Sequence, residues 1–112
     1  PFHSPLMAAT KTEFAEALNA VDVRMPVIPI VQNVNAEIPA NLDALKESLL
    51  AQIAEPVLWA SCVQTMVARG VSRFVEVGPG SVLSGLIRRI SKPTPTRSLA
   101  APAGVREALN DG

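Results

Sequence analysis

Apolar residues recur along the chain in stretches that are separated by Pro, Gly and Asn. In the first stretch, Leu6, Phe14 and Leu18 repeat at helical spacing, which predicts a helix over about residues 5–20. Ser4-Pro5 marks its start, because Ser caps a helix and Pro suits the first helical position.

A β-branched run at Val27–Val31 predicts the first strand. Pro29 lacks the N–H that a sheet ladder needs, so this strand must lie at an edge or be irregular at that point.

Two sets of apolar residues at helical spacing follow, and each predicts a helix. The first comprises Leu42, Leu45, Leu49, Leu50 and Ile53, with Asn35 or Asn41 as the cap and Pro56 as the stop. The second comprises Trp59, Val63, Met66 and Val67 and ends at Gly70.

The last third of the chain alternates strands and helices. The predicted order is a strand at Arg73–Val77, a turn at Gly78–Gly80, a helix at Val82–Ile90 capped by Ser81, a strand at Thr96–Ala100 and a helix at Ala103–Leu109. Strands joined by helices form parallel sheets. The pattern therefore predicts part of an α/β domain with three short strands alternating with helices.

Composition narrows the class of protein. The chain has 112 residues, 48% of them hydrophobic, which excludes disorder, and no apolar run approaches the length of a membrane span. One Cys and one His cannot form a disulfide or a zinc cluster, and four aromatic residues with balanced charge argue against nucleic-acid binding. We expect a soluble, cytoplasmic domain.

The charge is balanced only on average. Residues 1–68 carry a net charge of −4, and residues 69–112 carry +4. A basic region of this kind either is solvated surface or attracts an acidic partner or a phosphate.

Three places have residue types that carry chemistry. His3 precedes a predicted helix in an irregular segment, where function concentrates in α/β folds, and histidine is the commonest general base. Gly78-Pro79-Gly80 lies between a strand and a helix, where phosphate loops lie, but it lacks the remainder of a phosphate-binding motif. Cys62 falls on an apolar helix face and reads as a core residue.

Three motifs resemble one family. Phe2-His3-Ser4-Pro5-Leu6-Met7 resembles the histidine motif of malonyl-CoA:acyl carrier protein transacylases, and Glu55-Pro56-Val57-Leu58-Trp59 resembles a second segment. Residues 70–90, with Val77-Gly78-Pro79-Gly80, are similar to the C-terminal signature. The resemblance covers about the last third of the family's chain. It implies the C-terminal part of an α/β-hydrolase-like, parallel-sheet acyltransferase domain over residues 1–112.

The family transfers malonyl from malonyl-CoA to the thiol of acyl carrier protein in fatty acid biosynthesis, through a seryl ester, and needs no cofactor. Its serine lies in a Gly-x-Ser-x-Gly elbow, which this sequence lacks. The resemblance implies that His3 is the general base and that the backbone carbonyl of Gln52, forty-nine residues later, orients it. Only that carbonyl is invoked, so the Gln52 side chain is expected to be nearly dispensable.

The resemblance also implies roles for three more residues. A Phe at the position of Phe2 accompanies the choice of malonyl over methylmalonyl in related domains. Arg88 and Arg89 fall where the family carries basic residues that face the acidic acyl carrier protein, although cations at a helix end also favour the helix dipole.

Two alternatives stay open, an acyltransferase domain of a polyketide synthase and a non-catalytic binding module derived from the family. If the chain belongs to a discrete transacylase or to a polyketide synthase domain, the nucleophile-bearing N-terminal part lies outside it. The chain alone is then expected to be inactive. No nucleic acid, membrane or metal is implied as a partner.

Overall fold

The computed structural model describes residues 2–101 and 104–106. The chain divides between Thr65 and Met66 into two compact units.

The first unit is helical. A 3-10 helix at Pro5–Thr10 leads into helix α1 at Lys11–Asn19, and helices α2 at Leu42–Ala51 and α3 at Trp59–Ala68 follow, the last turn of α3 falling in the second unit. Helix α1 packs against α2. The buried apolar residues of this unit are Ala36, Leu45, Ile53, Ala54, Cys62 and Val63.

The predicted helix over 5–20 is confirmed in position, but its first six residues have the tighter 3-10 form. None of these six residues is buried, so no packed face requires the α-helical period there. Ser4 caps this segment as predicted, because its Oγ accepts a hydrogen bond from the N–H of Leu6 at 3.4 Å.

The predicted strand at Val27–Val31 is wrong, since these residues form an irregular segment. Pro26 and Pro29 remove two backbone donors within four residues, and Val27 is 99% exposed. The apolar run therefore has neither a pairing partner nor a packed face among the described residues.

Helices α2 and α3 lie where the sequence predicts them, although α2 ends at Ala51, two residues before Ile53. Asn41, rather than Asn35, caps α2, since its Oδ1 accepts from the N–H of Ala44 at 2.9 Å. Gly70 follows α3 with φ of 90°, a conformation that glycine adopts without strain and that ends a helix.

The second unit contains strand β1 at Phe74–Val77, helix α4 at Val82–Ile90 and strand β2 at Thr96–Leu99. The strands are parallel, with Phe74 opposite Thr96 and Val77 opposite Leu99, and α4 packs on both. Phe74, Ile87 and Leu99 are buried. The α/β class is confirmed, with two strands instead of three among the described residues. Of the predicted helix at Ala103–Leu109, residues 104–106 are helical and the remainder lies outside the described residues.

Candidate functional site

His3 lies at the C-terminal end of α2, next to Gln52, the residue that the family resemblance links to it. Its backbone N–H donates to the carbonyl oxygen of Ile53 at 3.0 Å. Ile53 follows the last turn of α2, where carbonyl groups have no partner within the helix. The free acceptors at the end of α2 thus fix the backbone of the histidine.

The backbone of His3 has φ of 60°, in the left-handed region. Residues other than glycine adopt this region rarely, and they persist there when their surroundings hold them. The hydrogen bond to Ile53 on one side and the Ser4 cap on the other supply that constraint. His3 is therefore held at a fixed place while its side chain stays exposed.

A groove of about 630 Å³ opens beside His3 within the first unit. Its walls are mainly apolar, and they are formed by Phe2, His3, Met7, Thr10, Glu13, Phe14, Ala17, Leu49, Gln52 and Ile53. No Lys or Arg lines it among the described residues. The groove therefore presents an apolar surface beside the imidazole, and its described lining offers no cation for a carboxylate.

Three of the predicted site residues share this groove: Phe2, His3 and Gln52. Within the described part of the chain the His3 imidazole has no hydrogen-bond partner, so the predicted contact with the Gln52 carbonyl stays a prediction.

The side chain of Gln52, which the sequence led us to expect to be nearly dispensable, has a hydrogen-bond partner that sequence analysis missed. Its Nε2 donates to Oε1 of Gln32 at 3.0 Å, and Gln32 is only 3% exposed. Gln32 lies in a polar segment of sequence twenty residues earlier, and no spacing rule joins positions that far apart. The one available signal was a large amide next to the apolar Val31.

Cys62 is a core residue, as predicted. It is 2% exposed, its Sγ lies 3.5 Å from the carbonyl oxygen of Gln32, to which the thiol donates, and burial raises its pKa. A thiol whose pKa is raised is a poor nucleophile.

The Gly78-Pro79-Gly80 turn is not available for a phosphate. The N–H groups of Leu83 and Ser84 at the start of α4 donate to the two carboxylate oxygens of Glu76 at 3.0 and 2.8 Å. Ser81, the predicted cap, makes no side-chain cap hydrogen bond. The longer Glu76 side chain, projecting from β1, takes that role and already supplies the negative charge that a helix N-terminus favours.

The contacts at the start of α4 lower the pKa of Glu76. The causes are the hydroxyl and the backbone N–H of Ser84, then the N–H of Leu83 and the charge of Arg88. Of the two Ser84 groups, only the backbone N–H, 2.8 Å from the carboxylate oxygen, makes a hydrogen bond.

Arg88 and Arg89 lie in the second unit, exposed, in the last turn of α4. Because α4 returns the chain from the carboxyl end of β1 to the amino end of β2, they lie at the amino edge of the sheet. Ligands of α/β proteins usually bind at the carboxyl edge of the sheet, so within the second unit these arginines lie at the opposite edge.

No group of three His, Cys, Asp or Glu side chains fit for a metal ion occurs among the described residues. Nor is any helix in that part of the chain long and apolar enough to cross a bilayer.

Comparison with curated proteins gives one consistent family. The chain is 33% identical over 109 residues to the malonyl CoA-acyl carrier protein transacylase of Bacillus subtilis (strain 168), covering 97% of this chain and 34% of that protein. The malonyl CoA-acyl carrier protein transacylase of Staphylococcus aureus (strain COL) is 35% identical over 99 residues, which covers 88% of this chain and 32% of that protein. No protein-family model matches the chain.

Solved structures agree. The malonyl-CoA:acyl carrier protein transacylase of Xanthomonas oryzae pv. oryzae superposes with a TM-score of 0.90 at 41% identity, covering 99% of this chain and 35% of that one. A malonyl-transacylase solved in complex with its type II polyketide synthase acyl-carrier protein superposes with a TM-score of 0.89 at 31% identity. The match covers 100% of this chain and 36% of that one. Over nearly all of its residues the chain is thus a homologue of malonyl CoA-acyl carrier protein transacylases, and it spans about a third of their length.

Proposed function

We propose that this chain is the histidine-bearing C-terminal segment of a malonyl transacylase, which moves malonyl from malonyl-CoA to the thiol of acyl carrier protein. The observation that carries the proposal is His3, which matches the family's histidine motif and is fixed to the end of α2 beside an apolar groove. The homology over 97% of the chain supports the reaction class.

In this proposal the nucleophile is a serine outside the chain, and His3 is its base. His3 takes the serine proton as the serine oxygen attacks the thioester carbon. When the carbon–sulfur bond breaks, His3 returns that proton to the coenzyme A thiolate and a malonyl ester of serine remains. In the second half-reaction the carrier thiol gives its proton to His3, attacks the ester and releases the serine, which recovers the proton.

The Gln52 carbonyl is proposed to orient the imidazole by accepting its other N–H. Two facts support this assignment. Gln52 is the C-cap of α2, where carbonyl groups lack helical partners, and the next carbonyl, that of Ile53, already binds the backbone of His3.

Phe2 is proposed to limit the acyl group. Its side chain lines the groove next to His3, and a bulky ring near the α-carbon of malonyl would reject an added methyl group. The groove has no Lys or Arg among the described residues, so the cation that binds the malonyl carboxylate must come from outside it. The resemblance assigns that role to an arginine in the part of the family's chain that this sequence does not match.

Acyl carrier protein is the proposed partner, and Arg88 and Arg89 are proposed to face it. Both are exposed in a region of the chain that carries a net charge of +4, which suits an acidic partner. A malonyl-transacylase that is 31% identical to this chain was solved with a type II polyketide synthase acyl-carrier protein. That likeness favours a polyketide carrier as the second candidate acceptor, with the same chemistry.

The proposal is tested by joining this chain to the part of the Bacillus subtilis relative that it does not match. This chimaera should take label from malonyl-CoA on serine and pass it to acyl carrier protein, whereas the chain alone should form no acyl adduct. Fatty acid and polyketide carriers, compared as acceptors, distinguish the two candidate pathways.

Reversal of both arginines to Glu should slow only the transfer to the carrier in this chimaera. A folded chimaera that forms no malonyl ester would contradict the proposal and favour a non-catalytic binding module. A hydroxylamine-labile malonyl ester on the chain alone would contradict the assignment of the nucleophile.

A further inference from the structure

We propose that Gln32 is a positioning residue for His3 and acts through the side chain of Gln52. The proposal rests on the proposed function only for the chemical role of the histidine. The positioning itself is a property of the first unit.

Gln32 is a fixed point in this unit. Its residue is 3% exposed, its N–H donates to the carbonyl of Glu37 at 2.8 Å, and its own carbonyl accepts from the N–H of Ala36 at 2.9 Å. The Cys62 thiol donates to the same carbonyl. These contacts hold the backbone of Gln32 from a turn and from α3, and none of them involves His3 or α2.

The side chain of Gln32 connects this fixed point to the end of α2. Its Oε1 accepts the Gln52 Nε2 at 3.0 Å. The Gln52 N–H in turn donates to Ser48 at 3.0 Å, which closes the last turn of the helix. A helix end otherwise frays, so a buried amide bonded to the C-cap residue holds the following peptide in place.

That following peptide carries His3. The carbonyl of Ile53, one residue after Gln52, accepts a hydrogen bond from the His3 N–H. This tertiary hydrogen bond constrains the left-handed backbone of the histidine. Gln32 is therefore joined to His3 through Gln52 and Ile53 by hydrogen bonds of 3.0 Å. Loss of the Gln32 amide should loosen the end of α2 and with it the bond to His3.

The test is a double-mutant cycle on the ¹⁵N-labelled chain, read as the exchange rate of the His3 amide with water by NMR magnetisation transfer. Gln32→Met and Gln52→Met should each speed this exchange by roughly threefold to tenfold, the scale of one intramolecular hydrogen bond. The double variant should be no faster than either single variant, because both substitutions break the same connection.

Thr65→Val is the matched control. The Thr65 hydroxyl donates to Ala36 at 2.9 Å, so this variant removes a hydrogen bond from the same turn without touching Gln52. It should leave the His3 exchange rate within about twofold of the parent, well below the effect of one full hydrogen bond.

Gln52→Met lies at a half-buried position, so it carries the test if Gln32→Met, at a buried position, fails to fold. The proposal is overturned if either single variant folds and leaves the exchange rate unchanged, or if the two single effects multiply in the double variant. Because this measurement involves no acyl transfer, a failure here is distinct from a failure of the chimaera to react.

Discussion

Each unit has a helix end that is held by a side chain from outside the helix, and the two contacts differ in kind. In the first unit, neutral groups from distant positions meet, as in the bond between Gln32 and Gln52, twenty residues apart, and the bond between Thr65 and Ala36, twenty-nine apart. In the second unit, the charged Glu76 reaches forward seven and eight residues to Leu83 and Ser84. The Gln32–Gln52 contact is thus long-range and neutral, whereas the contacts of Glu76 are local and charged.

The two contacts should therefore respond differently to pH. Amides do not titrate, so the framework that holds His3 keeps its hydrogen bonds across the range in which a general base works. Glu76 loses its charge in acid, and with it the charge-assisted bonds that start α4. We therefore expect acid to weaken the helix of the second unit while it leaves the Gln32–Gln52 contact intact.

The largest expected effect is that of Gln52→Met. The substitution leaves the buried Oε1 of Gln32 without its partner, which should lower the free energy of unfolding by about 1–3 kcal/mol. The loss should be the same at pH 4 and pH 7, because neither amide titrates. Urea unfolding at the two pH values measures it, and Gln64→Met, at an exposed position on α3, is the control and should change little. A loss that grows or shrinks with pH would contradict the neutral character of this framework.

A smaller effect is expected from Glu76→Gln, and it should depend on pH. Folding lowers the pKa of Glu76, so its stabilising contribution is present above the ordinary value of about 4.3 and disappears as the pH falls through the lower folded-state value. The variant should melt below the parent at pH 7, and the difference should be smaller at pH 3. Glu47→Gln, at an exposed acid on α2, is the control. Equal differences in melting temperature at both pH values would show that the charge of Glu76 does not stabilise α4.

In the second unit, β1, α4 and β2 lie within one residue of their predicted bounds. The sequence signals there are local: the glycines that end α3 and surround the turn, the apolar period of α4 and the basic residues in its last turn. The exception is the helix cap. Ser81 has the expected position, but Glu76 takes the two N–H groups, which depends on the direction in which β1 projects a side chain rather than on a capping motif.

In the first unit the sequence predicted the helix over residues 5–20, α2 and α3, and it failed between them at Val27–Val31. The run at Val27–Val31 has strand propensity but no partner, and propensity alone does not form a strand. The grouping of Phe2, His3 and Gln52 in one groove followed from the family's motifs, and the contact of Gln32 with Gln52 did not. That contact depends on how a loop folds back on a helix end, for which a single sequence has no periodic signal.

The central claim, that His3 is the general base, is tested most directly by single-turnover acylation of the chimaera with malonyl-CoA. His3→Ala should slow formation of the seryl ester by roughly 10²–10⁴, the usual contribution of a positioned base. The fold should be nearly unchanged, because the side chain is exposed and the bond to Ile53 uses the backbone N–H. A His3→Ala chimaera that forms the ester at the parent rate would contradict the account.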